Sequence, residues 1–279
     1  MTASLNAAAR HSLLSLAFCV LSIFLTGCVG NGPVKADLDG DRAQAEIVRE
    51  DRAFELGKDI AVVEIDNPYG EINVRDHDEA EVGVHAVGQL LPGTYSRTRL
   101  VSSREKGTLK LVVELPGGAG DARYDMAVYV SKDMPLVLNG GRFRVDAKKR
   151  NARLTITTIS GKINASSHAA LDLSTDSGTI QAAQLVENWF GVSRLRSKSG
   201  RIIALAPLSG NVSLSAETGG NLRTNFGLSV HARAEGGHQA SAKYGTGTSE
   251  WRVESESGEI VLEQAVILGE DRDSAEDSD

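Results

Sequence analysis

The chain has 279 residues, and its 30 basic and 37 acidic side chains give a formal net charge of −7. It contains two cysteines and only 5% aromatic residues. Cys19 lies inside an apolar N-terminal run and Cys28 follows that run. The rest of the chain therefore has no thiol for a disulfide, a thiolate zinc site or a cysteine nucleophile, and these classes of site are excluded.

The N-terminal residues 1–27 are predicted to be a signal peptide that is removed. Residues 13–25 form an apolar run with the length of a signal-peptide core, too short for a comfortable membrane span. The run ends in Leu-Thr-Gly-Cys, which resembles the lipobox of bacterial lipoproteins and implies a diacylglycerol on Cys28. The next residue is Val29 rather than aspartate, which by the same resemblance favours the outer membrane of a Gram-negative cell. The alternatives are an ordinary secretory signal with a chance cysteine and an uncleaved anchor.

Two polar segments flank the predicted domain. Residues 28–46 begin with the cysteine expected to be lipidated and are rich in Gly and Asp, so they are interpreted as a flexible tether. The last eleven residues, 269–279, hold six acidic side chains and one arginine and are interpreted as a disordered acidic tail. The folded domain is therefore predicted to span residues 47–268, with its regular part at 134–264.

The domain is built on a recurrent Ser-Gly motif. The stretches TTISGKINA at 157–165, STDSGTIQA at 174–182 and RSKSGRIIA at 196–204 repeat one pattern. With the glycine taken as the anchor, seven tandem copies are 17 to 22 residues apart, and an eighth copy lies upstream. A period of this length predicts a repeat architecture in which each copy is one structural unit. The anchors are Gly70, Gly141, Gly161, Gly178, Gly200, Gly219, Gly237 and Gly258.

Apolar and polar residues alternate on both sides of each glycine. The residue five places before the glycine is apolar in all eight copies, and the residue two places after it is isoleucine in five. Phe143 takes that second place after Gly141, whereas Gln239 takes it after Gly237 and suggests a loose or absent unit. Period-two alternation predicts half-buried β-strands. Glycine is expected at the join because it accepts a positive φ angle without steric cost.

Two all-β architectures fit this pattern. In a β-solenoid, or β-helix, each unit of 17–22 residues is one short coil, and equivalent positions stack between coils. In a series of stacked β-hairpins, Ser-Gly is a tight two-residue turn. We favour the solenoid because the period persists over six intervals and small residues suited to tight corners are plentiful. Variation in unit length also falls outside the motif, as at 182–194.

The segment before the tandem copies is less regular. Strand-like runs at 81–87, 108–115 and 124–130 are separated by turn signals. We interpret them as opening coils or as a cap continuous with the solenoid. Residues 52–56, RAFEL, are interpreted as a covering edge strand, because an open solenoid end would expose unpaired backbone groups.

The stretch VVEIDNPYGEINV at 62–74, followed by tandem Ser-Gly-x-Ile repeats, resembles the bacterial putative-adhesin family. The resemblance covers about residues 52–264. It implies a β-strand-repeat domain of unknown function, of a kind found on lipoproteins and other envelope proteins. Because these motifs are structural, the resemblance implies a fold and brings no catalytic residue, cofactor or ligand with it.

Candidate catalytic and metal-binding groups are few. Residues 76–79, Asp-His-Asp-Glu, with His85 nearby, form the one cluster that looks like a metal site. Adjacent residues in a strand or turn point in different directions, whereas a zinc site requires three or four converging ligands. We therefore predict no metal and no other cofactor. No carboxylate pair recurs at a spacing suited to acid–base hydrolysis, and no nucleophile elbow or phosphate loop stands out, so we predict that the protein is not an enzyme.

The outward positions around the glycines are rich in basic residues although the chain is acidic. One interpretation is a positive face on one sheet that binds an anionic envelope polymer, such as lipopolysaccharide phosphate. The interpretation that we favour is a solvated face of interleaved charges, because several acidic residues occupy neighbouring outward positions. Nucleic acid is not expected as a partner, because the stripe lacks aromatic residues for base stacking. The residues of the possible anion-binding face are Arg142, Arg144, Lys162, Arg194, Arg196, Arg201 and Arg223.

Together these features favour a lipid-anchored, non-catalytic β-solenoid at the cell envelope. Its stacked sheets would offer an extended surface to a polymer, a surface protein or another cell, because a repeated surface gains affinity from many weak contacts. A second possibility is an envelope structural or stress-linked accessory protein that acts through a membrane partner. A third is a solenoid enzyme that acts on polysaccharide, which the lack of a suitable acid–base pair disfavours.

Overall fold

The structure is a computed structural model, and it describes residues 46–90, 98–115, 122–207 and 210–264. The predicted signal peptide, Cys28, the tether as far as residue 45 and the acidic tail at 269–279 lie outside the described residues. All regular secondary structure in the described ranges is β-strand. Those ranges accordingly contain no helix long and apolar enough to cross a membrane.

The described residues form 21 strands. In chain order they are β1 (Glu46–Glu55), β2 (Val62–Asn67), β3 (Ile72–Arg75), β4 (Glu81–Leu90), β5 (Arg99–Glu105), β6 (Thr108–Glu114), β7 (Arg123–Tyr129), β8 (Leu136–Gly140), β9 (Val145–Arg150), β10 (Leu154–Thr158), β11 (Ile163–Ser167), β12 (Leu171–Thr175), β13 (Ile180–Gln184), β14 (Val192–Ser197), β15 (Ile202–Ala206), β16 (Val212–Thr218), β17 (Leu222–Thr224), β18 (His231–Ala232), β19 (His238–Lys243), β20 (Ser249–Ser255) and β21 (Ile260–Gln264).

The strands make two sheets that share one hydrophobic core. Sheet A has ten strands in the order β1-β4-β7-β3-β9-β11-β13-β15-β21-β17. Sheet B has eleven strands in the order β18-β19-β16-β20-β14-β12-β10-β8-β2-β6-β5. One strand of sheet B followed by the next strand of sheet A makes one coil, as in β10–β11. The described residues contain eight such coils: β2–β3, β6–β7, β8–β9, β10–β11, β12–β13, β14–β15, β16–β17 and β20–β21.

Neighbouring coils pair in parallel and in register. Leu154 of β10 lies opposite Leu171 of β12, and Ile163 of β11 lies opposite Ile180 of β13. A series of hairpins would instead pair successive strands antiparallel through short turns. The parallel ladder therefore confirms the predicted all-β solenoid and rules out the hairpin series for these coils.

Two coils lie out of sequence order in the stack. The coil β2–β3 is first in the chain, yet it lies between β6–β7 and β8–β9. The coil β20–β21 is last in the chain, yet it lies between β14–β15 and β16–β17. The first and last coils of the chain are thus internal to the stack, each with parallel neighbours on both sides.

Antiparallel strands close the two ends of the stack. At one end β4 and β1 extend sheet A beyond β7, and β5 extends sheet B beyond β6. Arg52 of β1 donates a hydrogen bond to the carbonyl of Leu100 in β5 at 2.8 Å. Arg104 of β5 donates in return to the carbonyl of Glu55 in β1. The predicted edge strand at 52–56 is thus part of β1. The two guanidinium groups donate hydrogen bonds to backbone carbonyls of the strands at the open edge.

Inward and outward side chains alternate along the coils, as the sequence pattern predicts. The copy at Gly141 differs, because Val145 and not Phe143 lies opposite Ile163. Phe143 is half-buried and lies beneath the guanidinium of Arg123, whose central carbon is 5.3 Å from the ring centroid. The prediction that Phe143 points inward is therefore wrong. Phe143 precedes β9 and lies level with the corner glycine of the next coil, because a Cβ on Gly161 would be 1.8 Å from the carbonyl oxygen of Phe143. The buried positions of this strand begin two residues later, at Val145.

The copy at Gly237 does not form a coil. β18 and β19 pair antiparallel there, and β19 pairs antiparallel with β16, which closes the other end of sheet B. Gln239 lies opposite Glu217 and is exposed. A coil would have placed its amide in the apolar core without a partner, which is costly. This agrees with the expectation that the glutamine disfavours a regular unit.

The corner glycines are required for a different reason from the one expected. None of Gly161, Gly178, Gly200 and Gly258 has a positive φ angle, so the predicted left-handed corner is wrong. A Cβ atom on Gly178 would lie 2.1 Å from the carbonyl oxygen of Gly161 in the adjacent coil, and one on Gly200 would lie 1.8 Å from that of Gly178. The backbone of the neighbouring coil therefore occupies the space that a side chain would need.

Candidate functional site

The Ser-Gly motif forms an internal hydrogen-bonded ladder. A Ser or Thr three places before the glycine is buried at Thr158, Thr175, Ser197 and Ser255. The last three accept hydrogen bonds from the N–H of their own corner glycine at 3.0, 2.7 and 2.9 Å, respectively. Thr158 donates to the hydroxyl of Thr175 at 2.9 Å or to the carbonyl of its own corner glycine at 3.1 Å. These four hydroxyls bond to the backbone or to one another, whereas the serines directly before the glycines are exposed: Ser160, Ser177, Ser199 and Ser257.

A groove of about 600 Å³ lies on the outer face of sheet B. Its floor is a row of outward side chains at equivalent positions on neighbouring strands: Thr157, Ser174, Arg196 and Glu254. Residues 233–236, in the turn between β18 and β19, line one side of it. The hairpin that replaces a regular coil therefore converts a flat sheet surface into a groove.

The lining of this groove is acidic. Five carboxylates and three cations line the groove, which gives the lining a net charge of −2. The positive charge of each cation is compensated by a nearby carboxylate. Lys198 lies 2.8 Å from Asp176, whose hydrogen bond raises the pKa of the lysine. Arg196 is 3.0 Å from Asp172, just outside the groove. The acidic lining residues are Asp176, Glu217, Glu235, Glu254 and Glu256, and the basic lining residues are Arg196, Lys198 and Arg233.

Glu254 is a half-buried carboxylate in the floor of the groove. Among the described residues it accepts no hydrogen bond and has no ion-pair partner within 4 Å. It lies directly opposite Glu217 on one neighbouring strand, an unfavourable position for two like charges, and opposite Arg196 on the other. Glu217 is 3.8 Å from Arg233. A cationic or hydrogen-bond-donating group placed in the groove would relieve this repulsion.

The seven basic residues singled out in the sequence lie on two faces. Residues before the glycine belong to sheet B, and residues after it belong to sheet A, so outward positions on the two sides of the motif cannot share one surface. The prediction of a positive face on one sheet is therefore wrong. Arg194 and Arg196 lie on β14 of sheet B, Arg223 lies on β17 of sheet A, and Arg142, Arg144, Lys162 and Arg201 precede strands of sheet A.

Four of these seven residues have a carboxylate partner. For Arg142, Lys162 and Arg194, no ion-pair partner lies within 4 Å among the described residues. Arg142 and Lys162 occupy the corners of adjacent coils, where they are exposed. The ion pairs are Arg144 with Glu71 at 3.1 Å, Arg196 with Asp172 at 3.0 Å, Arg201 with Glu259 at 3.0 Å, and Arg223 with Glu259.

Arg150 ends β9 and is not available to a ligand. It is 2% exposed, and its guanidinium donates hydrogen bonds to the carbonyls of Val130, Ser131 and Met134. Burial lowers its pKa. The side chain ties β9 to the turn that precedes β8. Sequence reasoning missed this role, because a basic residue within a basic run resembles a surface residue.

The loop between β3 and β4 brings together three polar side chains. The Nε2 atom of His77 lies 3.7 Å from a carboxylate oxygen of Glu79 and 4.0 Å from one of Glu81. His85 is directed elsewhere and pairs with Asp51 of β1. The sequence predicts that adjacent side chains in residues 76–79 point in different directions, and this holds for residues next to each other in the chain. The chain bends at 79–80 before β4 begins, and this path of the loop brings His77, Glu79 and Glu81 together.

Neither family models nor curated protein sequences give a match to the chain. Among solved structures, it is similar to a putative cell adhesion protein from Clostridium sporogenes, at 13% identity and a TM-score of 0.47, with 79% of this chain and 100% of that chain covered. It is also similar to a putative adhesin from Bacteroides fragilis, at 11% identity and a TM-score of 0.35, with 78% and 97% covered. A putative lipid binding protein from Parabacteroides distasonis matches at 13% identity and a TM-score of 0.25, with 78% and 97% covered.

At these identities and TM-scores, none of the three structures transfers a ligand or an activity to this chain. One of them is named a putative cell adhesion protein and another a putative adhesin.

Proposed function

We propose that the chain is a non-catalytic binding module of the bacterial cell envelope, held at a membrane by lipid on Cys28. The groove on sheet B is its ligand site, and the ligand is a glycan that carries hydroxyl and amino groups. The observation that carries this proposal is Glu254, a half-buried carboxylate in the floor that lacks a close partner and lies opposite Glu217.

The chemistry of the groove favours hydrogen-bond donors. Five carboxylates supply acceptors, whereas the cations in the lining are already offset by acidic neighbours. A protonated amine or a sugar hydroxyl can donate to Glu254, and a charge-assisted bond of this kind is stronger than a neutral one. Because the floor side chains lie on parallel strands about 4.8 Å apart, a polymer that crosses the strands can contact several of them at once.

The proposed anchor suits a module that acts away from the bilayer. If Cys28 is lipidated, residues 29–45 separate the lipid from β1 and span at most about 60 Å when fully extended. The Gly- and Asp-rich composition of this segment favours a flexible tether. The domain could then meet a polymer beyond the lipid headgroups.

Binding to defined glycans tests the groove. The probes are hexaglucosamine, with free amines, and hexa-N-acetylglucosamine, without them. We expect hexaglucosamine to bind more strongly to the full chain in detergent. Glu254→Gln should weaken it by about tenfold, the loss expected for one charge-assisted hydrogen bond. Isothermal titration calorimetry measures both affinities.

The matched control is Glu250→Gln, which changes a carboxylate on the same strand that pairs with Arg252 at 2.5 Å, outside the groove. It should leave binding unchanged. Equal binding by the wild type and Glu254→Gln, or no binding of either glycan, would contradict the proposed site.

Lipidation is tested separately in cells. A labelled fatty acid should be incorporated into the wild-type chain and not into Cys28→Ala, and the variant should leave the membrane fraction. Labelling that survives in Cys28→Ala would rule out this anchor and leave the groove proposal unaffected.

A further inference from the structure

The cluster His77, Glu79 and Glu81 lies outside the groove, in the loop between β3 and β4 and at the start of β4. Each residue offers one ligand atom, and the three atoms lie within 4.8 Å of one another. The imidazole is 25% exposed, and Glu81 is 33% exposed, whereas Glu79 is 70% exposed. The side chains of His77 and Glu81 are therefore partly buried and restrained by their surroundings. The exposed side chain of Glu79 can change its conformation.

The distances between these atoms are too long for direct hydrogen bonds. Nε2 of His77 is 3.7 Å from Glu79 and 4.0 Å from Glu81, beyond the usual range for an N–H donor and a carboxylate. Ligand atoms that surround a tetrahedral zinc ion at about 2.0–2.2 Å are separated by about 3.3–3.5 Å. The two distances from Nε2 exceed these edge lengths by about 0.2–0.7 Å, and all three ligand atoms lie within 4.8 Å of one another, so small side-chain movements would bring them around one ion.

Neighbouring groups orient the imidazole. The ring of Tyr129 meets the His77 ring edge to face, with centroids 6.3 Å apart at 75°. Asp76 accepts hydrogen bonds from the backbone N–H groups of His77 and of Lys132, each at 3.1 Å, which ties this loop to the turn between β7 and β8. These contacts leave Nε2 facing the two glutamates.

An additional carboxylate stands beside the cluster. Glu55 of β1 lies directly opposite Glu81 of β4 in the antiparallel ladder. Two like charges at such a position repel each other. A bound cation would reduce this repulsion as well as the repulsion between Glu79 and Glu81.

We propose that His77, Glu79 and Glu81 bind a divalent transition-metal ion, with zinc as the best fit. Imidazole is a good ligand for zinc, whereas magnesium and calcium prefer sites made of oxygen ligands alone. Three protein ligands leave a fourth position for water. Such an ion would join the β3–β4 loop to the strands that cap this end of the stack.

Titration with zinc chloride and cobalt chloride tests the site on the full chain, purified in detergent without an affinity tag. We expect one equivalent of zinc to bind and raise Tm. Cobalt at this site should give the visible absorption of a four- or five-coordinate ion without a thiolate charge-transfer band, which separates the site from cysteine ligands. His77→Ala should remove the cobalt spectrum and weaken zinc binding by at least about tenfold.

Two further variants separate ligand loss from misfolding. Glu79→Gln changes a side chain that is 70% exposed, so it should fold normally and still weaken zinc binding. His85→Ala removes another surface histidine of β4, which pairs with Asp51, and should bind zinc as the wild type does. Absence of saturable zinc binding in the wild type, or equal zinc binding by His77→Ala, would overturn the proposal.

Discussion

At the scale of single residues, the corner glycines illustrate how a correct position can be predicted for a wrong reason. The repeat marks Gly161 and Gly178 as corners, and both are corners. The requirement for glycine comes from the adjacent coil, whose carbonyl oxygen lies where a Cβ would be. That contact joins residues of different coils, so the local pattern could not reveal it.

Gly178→Ala tests this packing. Its Cβ would lie 2.1 Å from the carbonyl oxygen of Gly161, and a backbone atom cannot move aside as a side chain can. We expect unfolding in urea to show a loss of about 3 kcal/mol, the upper range for overpacking. Gly227→Ala is the control, because a Cβ there meets nothing within 4 Å and its φ angle is not positive. It should change stability by less than about 0.5 kcal/mol. Similar losses in the two variants would refute the steric explanation.

Asp66 of β2 predicts a pH dependence of stability. Burial raises its pKa above the ordinary value of 3.8, although Lys110 opposes the shift. The folded state therefore holds this proton more tightly than the unfolded state, and stability falls as pH rises through the window above 3.8. Asp66→Asn should raise Tm at pH 7, and the gain should disappear as pH falls below that window.

The control for Asp66 is Glu64→Gln on the same strand. Glu64 is 2.8 Å from Lys110, so this variant loses an ion pair and should lower Tm slightly at pH 7. A gain in Tm for Asp66→Asn that persists unchanged at pH 3 would show that charge burial is not its cause.

At the scale of elements, the order of the coils is a tertiary property. The coils β2–β3 and β20–β21 have the same alternating burial pattern as the others, so the pattern does not specify their places in the stack. The structure places both between other coils and gives the ends to antiparallel strands. A pattern repeated in every coil identifies the members of a solenoid and carries no information about their order.

Hydrogen exchange tests the internal position of the last coil. Amides of β20 and β21 are bonded within a sheet on both sides, so they should exchange as slowly as those of β12 and β13. Amides of the two-residue strand β18 at the end of sheet B should exchange much faster. Fast exchange throughout β20 and β21, as in a frayed terminal unit, would contradict the insertion. Mass spectrometry of peptic fragments provides the measurement.

At the scale of the whole molecule, charge is distributed over two faces that the sequence cannot separate. The basic residues around the glycines fall on both sheets, and several lie beside acidic residues of neighbouring coils. Arg142 and Lys162 remain as exposed cations without a close partner in the described part of the chain. Of the seven basic residues singled out in the sequence, these two are therefore the ones expected to contact an anionic polymer.

Heparin, used as an anionic polymer probe, tests that expectation. Arg142→Ser with Lys162→Ser should reduce binding and lower its salt dependence, because two uncompensated charges are lost. Arg201→Ser with Arg223→Ser removes two charges that already face Glu259 and should have a smaller effect. Equal effects of the two double variants, measured by calorimetry at several salt concentrations, would contradict an anion site at Arg142 and Lys162.

The sequence alone predicted the alternation of inward and outward residues in most coils and the corners at Gly161, Gly178, Gly200 and Gly258, and it favoured a solenoid over a series of hairpins, which the parallel pairing then decided. These properties are local, because alternation in a strand and a glycine at a turn depend on near neighbours. The tertiary structure decided the order of the coils, the division of Arg194 and Arg201 between faces, and the burial of Arg150. It also decided the groove around Glu254 and the convergence of His77 with Glu81. Each of these depends on contacts between distant parts of the chain or on the path of a loop, which a repeat pattern does not specify.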